Sequence, residues 1–477
     1  MRAKGIPNRS VNILERCLTG LVSAWVRAML GIYFRQIEFF HPERVPARGP
    51  VLFASNHPGS VTDAFIIGTS IQRQVHFVAT VRLFRLKPLA WLLTQCGIIP
   101  VNRMKDDPRA MRSVKDTFEA CFKVLERGGA VGIFPEGITY DDAQLKTVKT
   151  GAARMALELE HRHTGNLGLL ILPVGITYSA KERYRSEVLV HFGEPIRVAP
   201  FLHGYEPRRK ECIHELSTEI ERRLQSLIVH LPKLEHERVV DGVKRLYLER
   251  LKLGNIIVKE PLTPGAEELV LTQAIANAAE WVELNHPDRF NAFTRKLRQY
   301  ERWCARLSLG ENHSGSFDVE GGSLARILWR AMIAIVGAPI ALYGWVHRLL
   351  PIALIRWVAT RFTDPAARKA QTPHASMLTG LISFGVLYFA YVWLAHSWFG
   401  WPATFWYALS LPVSGLIAHY YLRELHRLTT ALRTAIILAR APLSAKRLAR
   451  MHSSLVSEIE ALRKEYRESL TEGPVFP

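Results

Sequence analysis

Residues 377–395, MLTGLISFGVLYFAYVWLA, are 19 consecutive positions without a formal charge, close to the roughly 20 residues that carry a helix across a hydrocarbon core. In lipid a backbone must satisfy its own polar groups, so such a run constrains the chain to helix. A second run, 403–422, follows a linker around Phe399, Gly400 and Pro402 and is uncharged apart from a proton on His419. Trp393, Trp398, Trp401 and Trp406 gather at the junction, where an interfacial aromatic belt belongs. The pair predicts a tight transmembrane hairpin. The competing assignment, the buried helical core of a soluble domain, is disfavoured by the length and the lack of charge. Arg348, Arg356, Arg361, Arg368 and Lys369 precede the hairpin, and Arg423, Arg427, Arg433 and Arg440 follow it, so both ends are expected on the cytoplasmic side. A third apolar run, 331–346, is shorter and broken by Pro339, with Pro351 beyond. A full crossing there would move the preceding residues to the opposite side, so a re-entrant or in-plane pair of helices is expected.

The remainder of the 477 residues suffices for a large catalytic domain with accessory parts. Lys and Arg number 62 against 43 Asp and Glu, a formal charge of +19, which favours nucleic acid, phosphorylated metabolites or anionic lipid as partners without choosing among them. Cys17, Cys96, Cys121, Cys212 and Cys304 lie far apart with no C-x-x-C pair, against a structural zinc site or a disulfide framework and in favour of a reducing compartment. At the N-terminus, Glu15, Arg16 and Arg27 interrupt the apolar stretch and no small-residue cleavage site follows, so the segment is not a secretory signal. Apolar residues over 11–34 repeat at helical spacing, which fits equally an amphipathic helix in a membrane interface and a helix packed on its own domain.

From about 40 to 200, short runs rich in Val and Ile alternate with helical patterns: 50–54, 75–79, 97–101, 130–134, 169–174 and 188–192. This is the pattern of an α/β domain with a largely buried sheet flanked by helices. The chain then turns charged and helical. The expected organisation is an N-terminal membrane-associated helical segment over 1–40, a catalytic domain over 41–207, a helical linker or lid over 208–325, a membrane region over 326–425, and a cytoplasmic helical tail over 426–477.

The chemistry-bearing residues sit where strands end. PVLFAS runs into Asn56, His57, Pro58, Gly59 and Ser60, with Asp63 following. A histidine at a strand end can take a proton from a hydroxyl near neutrality, and a carboxylate beside it can fix the tautomer and stabilise the imidazolium. Alternatively, Ser60 with Asp63 three residues later forms a capping box for the next helix. The block GIIPVNR ends on Arg103, whose guanidinium can hold a phosphate by paired hydrogen bonds. GIFPEG ends in a turn in which Glu136 can accept hydroxyl hydrogens and Gly137 lets a ligand approach the backbone. Pro173 interrupts the strand of ILPVG. Taken singly, these are a surface Arg, a turn Glu and an edge-strand Pro.

In this order and spacing, the four blocks resemble those of the glycerol-3-phosphate and lysophosphatidate acyltransferase family over about residues 45–200. The resemblance implies that His57 is the base activating the acceptor hydroxyl for attack on an acyl thioester, with Asp63 as its carboxylate. It places Asn56, Arg103, Glu136, Gly137 and Pro173 with the bound substrate. Five residues separate His57 from Asp63 where the family usually has four, and Ile138 stands where the third block usually continues with Thr. With LKTVKTGAARMAL at 145–157, these features are similar to the branch of fungal glycerol-3-phosphate and dihydroxyacetone-phosphate acyltransferases and their bacterial relatives. Six helical steps of about 100° would turn Asp63 away from His57, so His57 must sit in the loop before the helix.

Such a reaction needs a general base and oxyanion stabilisation but no metal, bound cofactor or covalent protein nucleophile; Ser60 lacks the G-x-S-x-G elbow. The co-substrate is then an acyl thioester of coenzyme A or acyl carrier protein. The acceptor is glycerol 3-phosphate at sn-1, with lysophosphatidate or another lysophospholipid as the alternative. Lys146, Lys149 and Arg154, just past the third block, are candidates for the phosphate or the carrier, with a plain solvated helix face favoured for at least two of them. The expected location is a membrane, most simply the bacterial inner membrane, with the catalytic domain cytoplasmic and membrane lipids as neighbours. A non-catalytic membrane scaffold would not need the intact His57, Asp63, Arg103 and Glu136 set, and a nucleic-acid partner is disfavoured by the hairpin and the absence of a basic-aromatic motif.

Overall fold

The computed structural model describes residues 13–84, 87–101, 111–139, 145–179, 183–229, 234–253, 264–307, 324–363 and 368–472. The chain divides into two compact units. The first comprises Met1–His230, Leu262–Glu267 and Phe362–Met377; the second comprises Leu231–Pro261, Glu268–Arg361 and Leu378–Pro477.

The first unit is built on a sheet of β1 (Gln36–Phe40), β2 (Val51–Ser55), β3 (Val75–Thr80), β4 (Ile99–Val101), β5 (Ala130–Ile133), β6 (Leu170–Tyr178), β7 (Glu187–Phe192) and β8 (Ile196–Arg197). Among the described residues the order is β1-β7-β6-β2-β5-β3-β4, with β8 also on β6. Neighbours run parallel except β7 and β8 against β6. Side-chain alternation along β2 explains the layers: Leu52 and Ala54 enter one apolar core, Val51 and Phe53 the other. The first core is covered by α4 (Met111–Glu126), α5 (Gly151–Arg162) and α6 (Arg209–Leu227), through residues such as Phe122, Leu157 and Leu216. The second is covered by α1 (Ile13–Tyr33) and α2 (Val61–Ser70), through Leu30, Ile66 and Ile67, and also takes in Met377. The helix α3 (Lys87–Gln95) links β3 to β4. Strands covered on both faces read as the continuous Val/Ile/Leu runs seen in the sequence.

Two sequence-based boundaries differ from the compact units. The sheet begins at β1, inside the segment assigned to the N-terminal helices, because Gln36–Phe40 pairs with β7. Helix α6 belongs to the sheet unit and not to a linker, since Cys212, Leu216, Ile220 and Leu224 are buried in its core. The α1 helix packs Val26, Met29, Leu30 and Tyr33 into the sheet unit while leaving Leu21, Trp25 and Ile32 exposed, so the end of the amphipathic segment covers its own domain and still shows an apolar face.

The second unit contains α7 (Leu234–Leu253), α8 (Pro264–Asn285, from Glu268 on), α9 (Pro287–Arg306), α10 (Leu324–Arg361), most of α11 (Arg368–Arg440) and α12 (Pro442–Glu472). The expected tail and the part of the linker after α6, from α7 on, thus fall largely in one helical body, with α12 packed on α7 and α9. The expected pair of short helices around 331–356 is a single helix that contains Pro339 and Pro351; a proline removes one ladder bond, and membrane helices accommodate that loss more readily than soluble ones. In α11 the chain is helical on both sides of Gly400, where φ is 71° and the direction changes. The two arms pack on each other: a Cβ at Gly415 would lie 3.5 Å from the Tyr388 hydroxyl, and His347 of α10 meets the rings of both Tyr391 and Tyr407. This is the hairpin expected from the sequence. Ile335–Arg361 and Gln371–His426 are long and apolar enough to cross a membrane, and their large apolar side chains are bare, Phe389 at 70% and Trp398 at 75%.

Candidate active site

Parallel strands bring their carboxyl ends to one edge of the sheet, where loops can carry reactive groups. Here β2 ends at Ser55 and leads to His57, β5 ends at Ile133 and leads to Glu136, and β6, parallel to β2, ends at Tyr178. Residues far apart in sequence therefore meet.

His57 lies in the loop before α2, as the spacing required, and its Nδ1 is 3.0 Å from Asp63 Oδ2. Asp63 is fully buried. The same Oδ2 accepts the Gly59 N–H at 2.8 Å, and Oδ1 accepts the Tyr178 hydroxyl at 2.6 Å. Three donors thus fix one carboxylate, and that carboxylate fixes the imidazole, leaving Nε2 as the nitrogen able to take a proton. The capping-box assignment does not hold: Ser60 makes no side-chain cap, and Asp63 reaches back to Gly59 and His57. Ser60 itself adopts φ 58°, ψ −131°, a strained backbone of the kind found at functional turns. The Phe134 ring stacks on His57 at 3.9 Å between centroids, with 15° between planes, and sets its orientation from the other side.

Glu136 is buried, and its two oxygens accept the backbone N–H of His57 at 2.8 Å and of Lys146 at 3.1 Å. Burial pushes its carboxyl up, opposed by those two hydrogen bonds. It braces the histidine loop against the segment after the third block. Gly137 has φ 72°, and a Cβ there would lie 2.6 Å from Lys149 Nζ, so only glycine lets that ammonium come so close to the turn. Asn56 exchanges both its amide groups with the backbone of Ile176, at 2.9 and 2.7 Å, and so ties the loop to β6. Pro173 is not on an edge. It pairs with Ala54 inside the sheet, at the point where the other neighbour of β6 changes from β8 to β7. The missing N–H falls in that gap, while its carbonyl accepts the Gly193 N–H at 2.9 Å. Arg103 lies outside the described residues.

Sequence reasoning missed three neighbours of the pair. Burial and the charge of Asp63 hold the Tyr178 phenol well above its ordinary range, so it stays a donor. Phe134 was visible only as a strand end. His374, from the segment preceding the hairpin, interacts electrostatically with Asp63 and His57, and its buried Nδ1 has no hydrogen-bond partner among the described residues. No local signal near residue 374 connects it to residue 57.

Residues 36–177 match the family model described as Acyltransferase. This segment is an acyltransferase domain. Over 135 residues the chain is 33% identical to Glycerol-3-phosphate O-acyltransferase 1 of Saccharomyces cerevisiae, spanning 28% of this chain and 18% of that relative. Over 198 residues it is 27% identical to the 1-acyl-sn-glycerol-3-phosphate acyltransferase of Bacillus subtilis, spanning 40% of this chain and 91% of that relative. The solved 1-acyl-sn-glycerophosphate (LPA) acyltransferase of Thermotoga maritima is 18% identical, with a TM-score of 0.33, over 44% of this chain and 80% of that one. The chain therefore spans only 18% of the length of the first yeast relative.

Proposed function

We propose that the protein transfers a fatty acyl group from an acyl thioester to a hydroxyl of glycerol 3-phosphate, in phospholipid synthesis at a membrane. The observation that carries the proposal is the buried Asp63 carboxylate set on His57 Nδ1 at the carboxyl edge of an acyltransferase-domain sheet. His57 Nε2 takes the hydroxyl proton as the oxygen attacks the thioester carbonyl. The tetrahedral adduct then collapses, the carbon–sulfur bond breaks, and the imidazolium returns the proton to the leaving thiolate. Asp63 stabilises the imidazolium without being protonated itself. Lys149 at the Gly137 turn supplies a cation for the acceptor phosphate, together with Arg103. Coenzyme A or acyl carrier protein is the thioester carrier. The hairpin keeps the acylated product at the bilayer, with both its ends and the acyltransferase domain on the cytoplasmic face of a bacterial inner membrane.

A second acceptor, 1-acylglycerol 3-phosphate, is favoured by the Bacillus subtilis relative, which matches nearly along its whole length, whereas the yeast relatives match at higher identity. Purified protein offered radiolabelled glycerol 3-phosphate or lysophosphatidate, with each thioester, decides between them. The expected result is faster acylation of glycerol 3-phosphate, abolished in His57→Ala; an inactive native protein, or a fully active His57→Ala variant, rejects the mechanism.

A further inference from the structure

The helical unit holds a cavity of about 400 Å³ between α7, α8, α9 and α12, remote in sequence from the acyltransferase domain. Its wall is almost entirely apolar, with Val239, Val243, Ile275, Phe293 and Ile459 among its residues. The cause is local: α8 presents Ala274, Ala278 and Ala279 to it, side chains too small to reach across. Ion pairs hold two of the walls in place, Arg289 to Glu465 at 2.7 Å and Lys296 to Glu458 at 2.7 Å, both between α9 and α12. The pocket is open to solvent on part of its boundary, so its apolar lining stays in contact with water until something covers it.

The cavity shares part of its lining with a chemically distinct pocket. A second pocket of about 370 Å³ adjoins it, lined by Glu460, Lys464 and Glu468 together with Tyr247, Arg463 and Arg467. The last three line the apolar cavity as well, so they mark the mouth between them. Arg463 and Arg467 are four residues apart on α12 and therefore lie on one helix face. Arg463 donates to the Tyr247 hydroxyl at 3.5 Å, and that hydroxyl donates to Glu460 at 3.4 Å. With Lys464, the polar pocket holds three cations against the two carboxylates. An apolar chamber with guanidinium groups at its mouth has the polarity of a single-chain amphiphile with an anionic head: hydrocarbon is removed from water in the chamber, and a phosphate can take paired hydrogen bonds from arginine.

We propose that the helical unit binds one monoacyl phosphate lipid, its acyl chain in the α7–α8–α9–α12 cavity and its phosphate at Arg463 and Arg467. This is a second, non-catalytic lipid site, and it stands whether or not the acyl-transfer reaction above is correct.

The test uses full-length protein in lipid nanodiscs and two photoactivatable probes with the same diazirine-bearing acyl chain: a lysophosphatidate and the monoacylglycerol that lacks the phosphate. Crosslinks from the lysophosphatidate are expected on peptides covering 271–282 and 459–467, unchanged in His57→Ala. They should fall about tenfold in Ala278→Trp, which fills the chamber. Loss of charge-assisted hydrogen bonds should make the monoacylglycerol label about tenfold less efficiently than the lysophosphatidate, and Arg463→Gln/Arg467→Gln should abolish that difference. The arginine pair lies at the mouth and not in the core, so this variant carries the test if Ala278→Trp misfolds. Labelling confined to residues 36–177 and the two membrane-length helices, or equal labelling of the native protein by both probes, overturns the inference.

Discussion

Asp63 is the residue on which the most depends, because one buried carboxylate receives the imidazole of His57, the N–H of Gly59 and the hydroxyl of Tyr178. Asp63→Asn presents an NH₂ group to at least one of these donors. It should lower kcat by about 10²- to 10⁴-fold through the mis-set histidine, and it should also lower the unfolding temperature. Tyr178→Phe separates the two effects: it leaves the His57 contact but removes one hydrogen bond to a charged group. A stability loss of about 1.5–3 kcal/mol with a much smaller fall in kcat is expected; thermal unfolding and steady-state kinetics on the same preparation check both. Glu136 differs in kind. Glu136→Gln cannot accept both backbone N–H groups, so one donor is left buried and unpaired at a cost of about 1–3 kcal/mol. The histidine loop should loosen as a result, lowering kcat together with the unfolding temperature. A variant that kept native stability and lost only acceptor affinity would move Glu136 from bracing the loop to binding the substrate.

At the scale of elements, the strand runs were legible because buried parallel strands must be apolar along their whole length, and six of the eight were found in that way. The first strand, QIEFF, escaped because it is an edge strand with a mixed burial pattern, and β8 because two residues carry no periodicity. The His57–Asp63 pairing could be argued from spacing, whereas Tyr178 and His374 could not: sequence patterns do not record which strand ends share an edge. The Pro173 position shows the same limit, since its place in the sheet interior depends on where β8 yields to β7. That region also carries a pH response. Burial, followed by the charges of His41 and Arg44, pushes the His191 imidazole of β7 down to about 4 from 6.5. The unfolded chain therefore takes up the proton first, so the contribution to stability is complete above pH 6.5 and is lost as the pH falls toward 4, by about 3 kcal/mol. His191→Phe should flatten the fall in unfolding temperature over that interval; an unchanged slope would assign the acid sensitivity elsewhere.

For the whole molecule, the expectation is a hairpin whose turn lies across the membrane from its ends. Single cysteines placed at 399–401 should react with an impermeant reagent outside intact cells, and those near Arg368 and Arg427 only after permeabilisation; the reverse pattern inverts the topology. Removing 376–422 should still leave protein that sediments with membranes, because α10 and the outer face of α1, with Trp25 and Ile32, remain apolar and bare. That deletion also removes Met377, which is buried in the core shared by α1, α2 and the sheet. The sheet unit thus takes a core side chain from far along the sequence: β1 pairs with β7, which ends at Phe192, whereas Met377 comes after Glu268–Arg361, a stretch that belongs to the other unit. During synthesis that last core side chain, with His374 close to it in sequence, emerges only after the intervening helices have been made, so the core of the sheet unit is completed late in translation.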